Sequence, residues 1–125
     1  MDTTTKPEGL KFDYGKPKYS LIPHEALDGL ARLFTRGGLK YGDRNWELGM
    51  NWSRVYDALQ RHAGKWFAGE DYDPEDSQHH LLSVIWCAMV LYTYQARKAG
   101  TDDRPQGVVI PGDTFWQQAV PEPVS

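Results

Sequence analysis

Cysteine is almost missing from this chain. Cys87 stands alone among 125 residues, which excludes an internal disulfide and fits a reducing compartment. Long apolar runs are missing too. None approaches the roughly 18 residues needed to cross a bilayer, and the opening MDTTTKPEGLKFDYGKPK has no apolar signal core, so a soluble, cytoplasmic protein is expected. Charge of one sign is not in excess: the net charge of −3 disfavours non-specific binding to nucleic-acid backbones, and neither a nucleic acid nor a membrane is expected as partner. No internal repeat is visible. The pair Gly37-Gly38 reads as a helix stop and not a phosphate loop, because no G-x-x-x-x-G-K pattern follows it. A length of 125 residues allows a single core and no second one.

What is present is aromatic and helical. Five Trp and seven Tyr argue for a folded chain rather than a disordered one. Residues 1–9 are polar and expected to fray, and 10–22, with Gly15 and Pro17, read as a partly extended arm. Pro23 suits a first helical position, and Ala26, Leu27, Leu30, Ala31, Leu33 and Phe34 recur at helical spacing, which predicts a first helix over about 23–36. The aperiodic stretch 39–52 is a long loop rich in aromatic and hydrogen-bonding groups, suited to packing over a ligand or to an Ω-loop held by its own tryptophans. A second helix is predicted over about 54–69, with Ser53 as its N-cap, Gly69 as its end, and Val55, Leu59, His62 and Trp66 on one inward stripe. A third is predicted over about 74–98, with Asp73 as N-cap and Pro74 in its first turn. Its run LLSVIWCAMVL is apolar all round, so both faces should be covered, which points to a partner subunit; Cys87 within it is a small core residue.

The expected fold is therefore all-α: a small bundle of three main helices, with a long loop between the first two, completed by oligomerisation. Residues 10–98 would form the domain and 99–125 an irregular tail, in which VVI and FWQQAV pack locally at best.

Between the second and third helices lies the stretch RHAGKWFAGEDYDPEDSQHHL. Here Glu70, Asp71, Asp73, Glu75 and Asp76 crowd together beside His62, His79 and His80. Carboxylates so close repel one another unless a cation, nearby Arg and Lys, or water relieves them. Oxygen-rich clusters with an occasional imidazole suit Mg²⁺ or Mn²⁺. A divalent-metal site acting on a phosphorylated small molecule is expected.

Four elements in fixed order carry a resemblance. They are K-F-D-Y-G-K-P (Lys11 to Pro17), K-Y-G-x-x-N-W (Lys40 to Trp46), R-H (Arg61, His62), and G-E-D-x-D-P-E (Gly69 to Glu75) followed by His80-Leu81. Over about residues 10–95 the chain resembles phage dATP/dGTP diphosphohydrolase-type domains, which are similar to the all-α, MazG-like nucleotide pyrophosphohydrolases. The resemblance implies hydrolysis of purine deoxynucleoside triphosphates to monophosphate and pyrophosphate, a Mg²⁺ cofactor, assembly as a dimer or tetramer, and the host cytoplasm as location. One departure stands out: the MazG-like pattern pairs carboxylates along helices, whereas here the second helix offers His62 and the carboxylates crowd into the turn.

On this reading Glu70, Asp71, Asp73, Glu75 and Asp76 are the candidate metal ligands, and a carboxylate left free of metal would act as general base. His62 and His80 join Glu70 and Asp71 as candidate catalytic groups, as ligand, proton carrier or phosphate donor; His79 reads as surface. Lys40, Arg54, Arg61 and Lys65, with Lys16 from the arm, are candidates for the triphosphate, although Asp57 and Arg61 also form an ordinary i, i+4 pair. Tyr41, Asn45 and Trp46 are candidates for the purine, with Trp46 as a core plug the competing reading. Two other classes compete: a non-catalytic binder that sequesters a nucleotide or a nucleotide-derived defence signal, and a structural or interaction module.

Overall fold

A computed structural model describes residues 9–105. Three helices make up the fold: α1 (His24–Tyr41), α2 (Trp52–Phe67) and α3 (His80–Arg97), with short 3₁₀ turns at Tyr19–Leu21 and Asn45–Leu48. Among the described residues there is no strand, only the isolated bridges Asn51↔Thr101 and Tyr72↔His79. Residues 1–8 of the expected frayed segment 1–9, and the local packing of 108–110 and 115–120, lie outside the described residues.

Helices α2 and α3 run antiparallel and carry the core. Trp52 and Val55 open α2, Cys87, Val90 and Tyr94 come from α3, and all five are buried together. Trp46, Met50, Leu59 and Trp86 pack around them. Burial pushes the Cys87 thiol up to about 11, in keeping with a core residue rather than a reactive one. Helix α1 lies across α3, and the crossing is close at Gly29, where a Cβ would stand 2.7 Å from the Leu82 side chain.

The helix ends correct four sequence expectations. Gly37 and Gly38 do not stop α1, which continues to Tyr41. A helical glycine costs only about 1 kcal/mol, which neighbouring packing offsets. The glycine that ends α1 is Gly42, at φ 94°, with its N–H donating to the Gly38 carbonyl. Helix α2 begins at Trp52 with Asn51 in the cap position. Ser53 is thus inside the first turn, where its N–H and hydroxyl both donate to Asp103. Helix α3 begins at His80 and not near residue 74, with His79 as N-cap accepting from the Leu81 N–H. Asp73 and Pro74 belong instead to a tight loop. In it Asp73 N–H donates to the Gln78 carbonyl, Ser77 N–H donates to the Asp73 carbonyl, and Ser77 takes a left-handed φ of 63°.

Gly69 behaves as expected. Its φ of 105° lets the Glu70 N–H reach back to the Lys65 carbonyl, closing α2 and turning the chain toward α3. Beyond α3 the chain stays attached to the bundle. The Trp52 indole N–H donates to the Ala99 carbonyl, and the Arg104 guanidinium lies 5.0 Å from the Trp52 ring.

The apolar run of α3 divides into two stripes. Ser83, Cys87, Val90 and Tyr94 are buried, whereas Leu81, Ile85, Met89 and Tyr92 keep between 37% and 75% of their surface exposed. The second covering layer expected for this helix is not supplied by the described residues of its own chain.

Candidate functional site

Opposite the tryptophan end, the α2–α3 pair closes on histidine. The inward stripe of α2 continues from Val55 and Leu59 to His62, one helical step beyond the core. His80, the first residue of α3, is completely buried and faces it. The backbone N–H of His80 donates to the Asp71 carbonyl, which fixes where α3 starts.

The two imidazoles meet through Nδ1, 2.9 Å apart, with ring centroids separated by 5.1 Å. At its other nitrogen, His80 Nε2 lies 2.7 Å from Glu70 Oε2. An ionised carboxylate only accepts, so His80 donates through Nε2–H and turns its Nδ1 toward His62. Burial, and next the neighbouring His80, hold the His62 pKa below the ordinary histidine value, so His62 is neutral at physiological pH and has a lone pair to offer.

Asp73 completes the cluster. One donor atom from each of His62, Asp73 and His80 lies within 4.8 Å of the other two. Asp73 is buried, and its Oδ1 accepts from the Glu75 N–H. That backbone hydrogen bond holds its carboxyl below the usual aspartate range and keeps it ionised. Two imidazoles and one carboxylate, converging from a helix, a helix start and a loop, are a donor set for a divalent metal.

The sequence candidates separate once they are placed. A cleft of about 460 Å³ is lined by Lys40, Arg61, His62, Lys65, Asp73, Glu75 and Asp76. Asp73 thus joins the two histidines, and Glu75 and Asp76 sit on the cleft wall. Glu70 touches the far side of His80, and the exposed Asp71 contributes its backbone carbonyl to His80; neither lines the cleft. His79 caps α3 and meets Tyr72 edge-on at 5.0 Å.

A larger open groove of about 1510 Å³ adjoins the cleft, sharing Lys40, His62, Glu75 and Asp76 with it. It is lined further by Tyr41, Asn45, Trp46 and Arg54, all candidates from the sequence. Trp46 is also a core plug, its ring 5.8 Å from Phe34 and 6.1 Å from Tyr94. Lys16 is exposed and lines neither cavity. Sequence reasoning missed Arg36 and Arg97 in the groove wall. Arg36 was findable, since it precedes Lys40 by one helical turn on α1. Arg97, held 3.5 Å from Glu47, carried no such local signal.

Comparison with known proteins agrees with the resemblance seen in the sequence. Residues 6–104 match a family described as dATP/dGTP diphosphohydrolase, N-terminal. A dATP/dGTP diphosphohydrolase of Salmonella phage PMBT28 is 33% identical over 104 residues, covering 83% of this chain and 36% of that relative. The chain thus spans about a third of the length of the relative it matches. No solved structure matches it.

Proposed function

The chain belongs to the dATP/dGTP diphosphohydrolase N-terminal family, and on that premise we propose that its cleft hydrolyses purine deoxynucleoside triphosphates, with a divalent cation, to monophosphate and pyrophosphate. One observation carries this reading: a single cleft joins the cation donors His62 and Asp73 to three side-chain cations, Lys40, Arg61 and Lys65. A triphosphate needs both kinds of positive charge, and an apolar ligand needs neither.

Water attacks the α-phosphorus, the bond from that phosphorus to the α–β bridging oxygen breaks, and pyrophosphate leaves with the electron pair. Lys40, Arg61 and Lys65 take the phosphate oxygens and neutralise the charge that builds on the leaving group. Glu75 or Asp76 accepts the proton of the attacking water. A cation at His62, Asp73 and His80 supplies Lewis acidity when bound. The adjoining groove takes the purine and sugar, with Tyr41 and Asn45 at its wall. The relative's phage origin is in keeping with action in a host cytoplasm. The open stripe of Leu81, Ile85, Met89 and Tyr92 supports a homo-oligomer.

The test is incubation of the purified chain with dGTP or dATP and Mg²⁺ or Mn²⁺, with products resolved by ion-exchange chromatography. Monophosphate and pyrophosphate in equal amounts are expected, and intact nucleotide under all conditions overturns the reading. A second reading is the non-catalytic nucleotide binder, which would use the same cleft cations, Lys40, Arg61 and Lys65, without turnover. Unchanged nucleotide that co-elutes with the protein selects it; no binding and no turnover leave the interaction module.

A further inference from the structure

An oxygen-rich Mg²⁺ site is what the crowded carboxylates suggest, yet the atoms that converge are mainly nitrogen. We infer that His62, His80 and Asp73 form a site for a six-coordinate divalent transition metal of the Mn²⁺, Fe²⁺ or Co²⁺ type rather than Mg²⁺, with Glu70 as the positioning residue that bares His80 Nδ1.

Donor chemistry comes first. Mg²⁺ prefers oxygen and sheds water reluctantly, whereas imidazole suits the first-row transition metals. The site places two imidazole nitrogens side by side and one buried, ionised carboxylate near them. Geometry then narrows the ion. Two nitrogens each about 2.1 Å from one ion stand roughly 3.0 Å apart at a right angle and about 3.4 Å apart at the tetrahedral angle. The observed Nδ1–Nδ1 separation of 2.9 Å is that of a hydrogen bond between the rings, and it is also compatible with the right-angled pair, so an ion can enter there with little movement of either ring. Donors on opposite sides of an ion are about 4.2 Å apart. One carboxylate oxygen of Asp73 lies within 4.8 Å of a ring nitrogen of each histidine, so a shift of at most roughly 2 Å brings it to the ion. Two histidines and one carboxylate leave three of six positions open for water or phosphate oxygens.

Glu70 acts one bond further out. Its carboxylate, 2.7 Å from His80 Nε2, holds the proton on that nitrogen and leaves Nδ1 to the ion. Glu70 reaches this position because Gly69 turns the chain at the end of α2.

The site stands on donor geometry alone, so its test is separate from turnover. Metal-free protein is titrated with Co²⁺, followed by its visible absorption, and with Mn²⁺ and Mg²⁺ by calorimetry. One Co²⁺ or Mn²⁺ per chain is expected, with a hundredfold excess of Mg²⁺ failing to displace it. Glu70→Gln should weaken Co²⁺ binding by about 10- to 100-fold, whereas Asp71→Asn should leave it unchanged. Mn²⁺ should also broaden the His62 and His80 ring resonances of the unaltered protein first, a readout that needs no variant to fold. Mg²⁺ binding as tightly as Mn²⁺, or broadening confined to other residues, overturns the inference. Tight Co²⁺ binding without nucleotide turnover leaves this site standing and removes the hydrolase. Turnover with Mg²⁺ and no site for Mn²⁺ does the reverse.

Discussion

The two ends of the α2–α3 pair are built from the same helices and do opposite things. At one end Trp52, Val55, Val90 and Tyr94 interlock, and the chain after α3 returns to cover them. At the other, the same inward stripe presents His62 to a buried His80, and the covering loop brings Asp73. An end that packs apolar groups fixes the helix pair. Having been fixed there, the pair can hold at its other end a set of polar groups that would not hold itself. Stability and chemistry are thus separated by the length of one helix, and a substitution at either end should move one and spare the other.

The strongest test crosses the two ends. Asp73→Asn should lower turnover on the order of a hundred- to a thousandfold, as loss of one key electrostatic contact does, with the thermal midpoint little changed. Trp52→Ala should destabilise the fold by about 3–5 kcal/mol, because it removes a buried indole and its bond to the Ala99 carbonyl. At a temperature where the variant is still folded, its Co²⁺ affinity should match that of the unaltered protein. Thermal melts, metal titration and product chromatography on both variants check this. A Trp52→Ala protein that folds fully but no longer binds metal would show that the two ends are not independent.

Much of this division was legible before any coordinates. The period of Val55, Leu59 and His62 placed the histidine on the core face of α2, and Gly69 marked the turn. What periodicity does not encode is where a loop folds back on itself. Pro74 and the acidic residues around it imitate a helix start, and local signals contain nothing to say that Asp73 N–H pairs with the Gln78 carbonyl instead. For the same reason the carboxylates looked equivalent in sequence. The loop turns Asp73 toward the histidines and Glu70 toward the outer nitrogen of His80, and leaves Asp71 outside. Gly37 and Gly38 misled because helix propensity is a weak term that packing overrides.

A finer test of the packed end uses backbone shape. Gly100 takes φ 70°, and a Cβ there would stand 2.5 Å from the Met50 carbonyl oxygen and 3.2 Å from the Trp52 indole nitrogen. Gly100→Ala should therefore cost about 1–3 kcal/mol. Gly15→Ala, at φ 78° with nothing within 4 Å, isolates the conformational part and should cost less. Denaturant melts of the two variants separate steric closure from backbone strain. Equal losses would mean that the return of the chain onto Trp52 is not tightly packed.

The smallest effect is expected at the tether itself, and pH gives it a signature. Ser53 donates its N–H and its hydroxyl to Asp103, which holds that carboxyl below the ordinary aspartate value of 3.8. A carboxyl depressed in the folded state stabilises the fold above its unfolded pKa, and the stabilisation disappears as pH falls through the folded value. Asp103→Ala should thus lower the thermal midpoint slightly at neutral pH, and the gap should close once the pH is well below 3.8. Full exposure of the group keeps the effect small. Co²⁺ affinity should not move, because Ser53 lies in the first turn of α2, more than two turns before His62. A gap that widens in acid would mean that Asp103 stabilises the fold as a neutral group, and that the carboxylate is not what ties the returning chain to the start of α2.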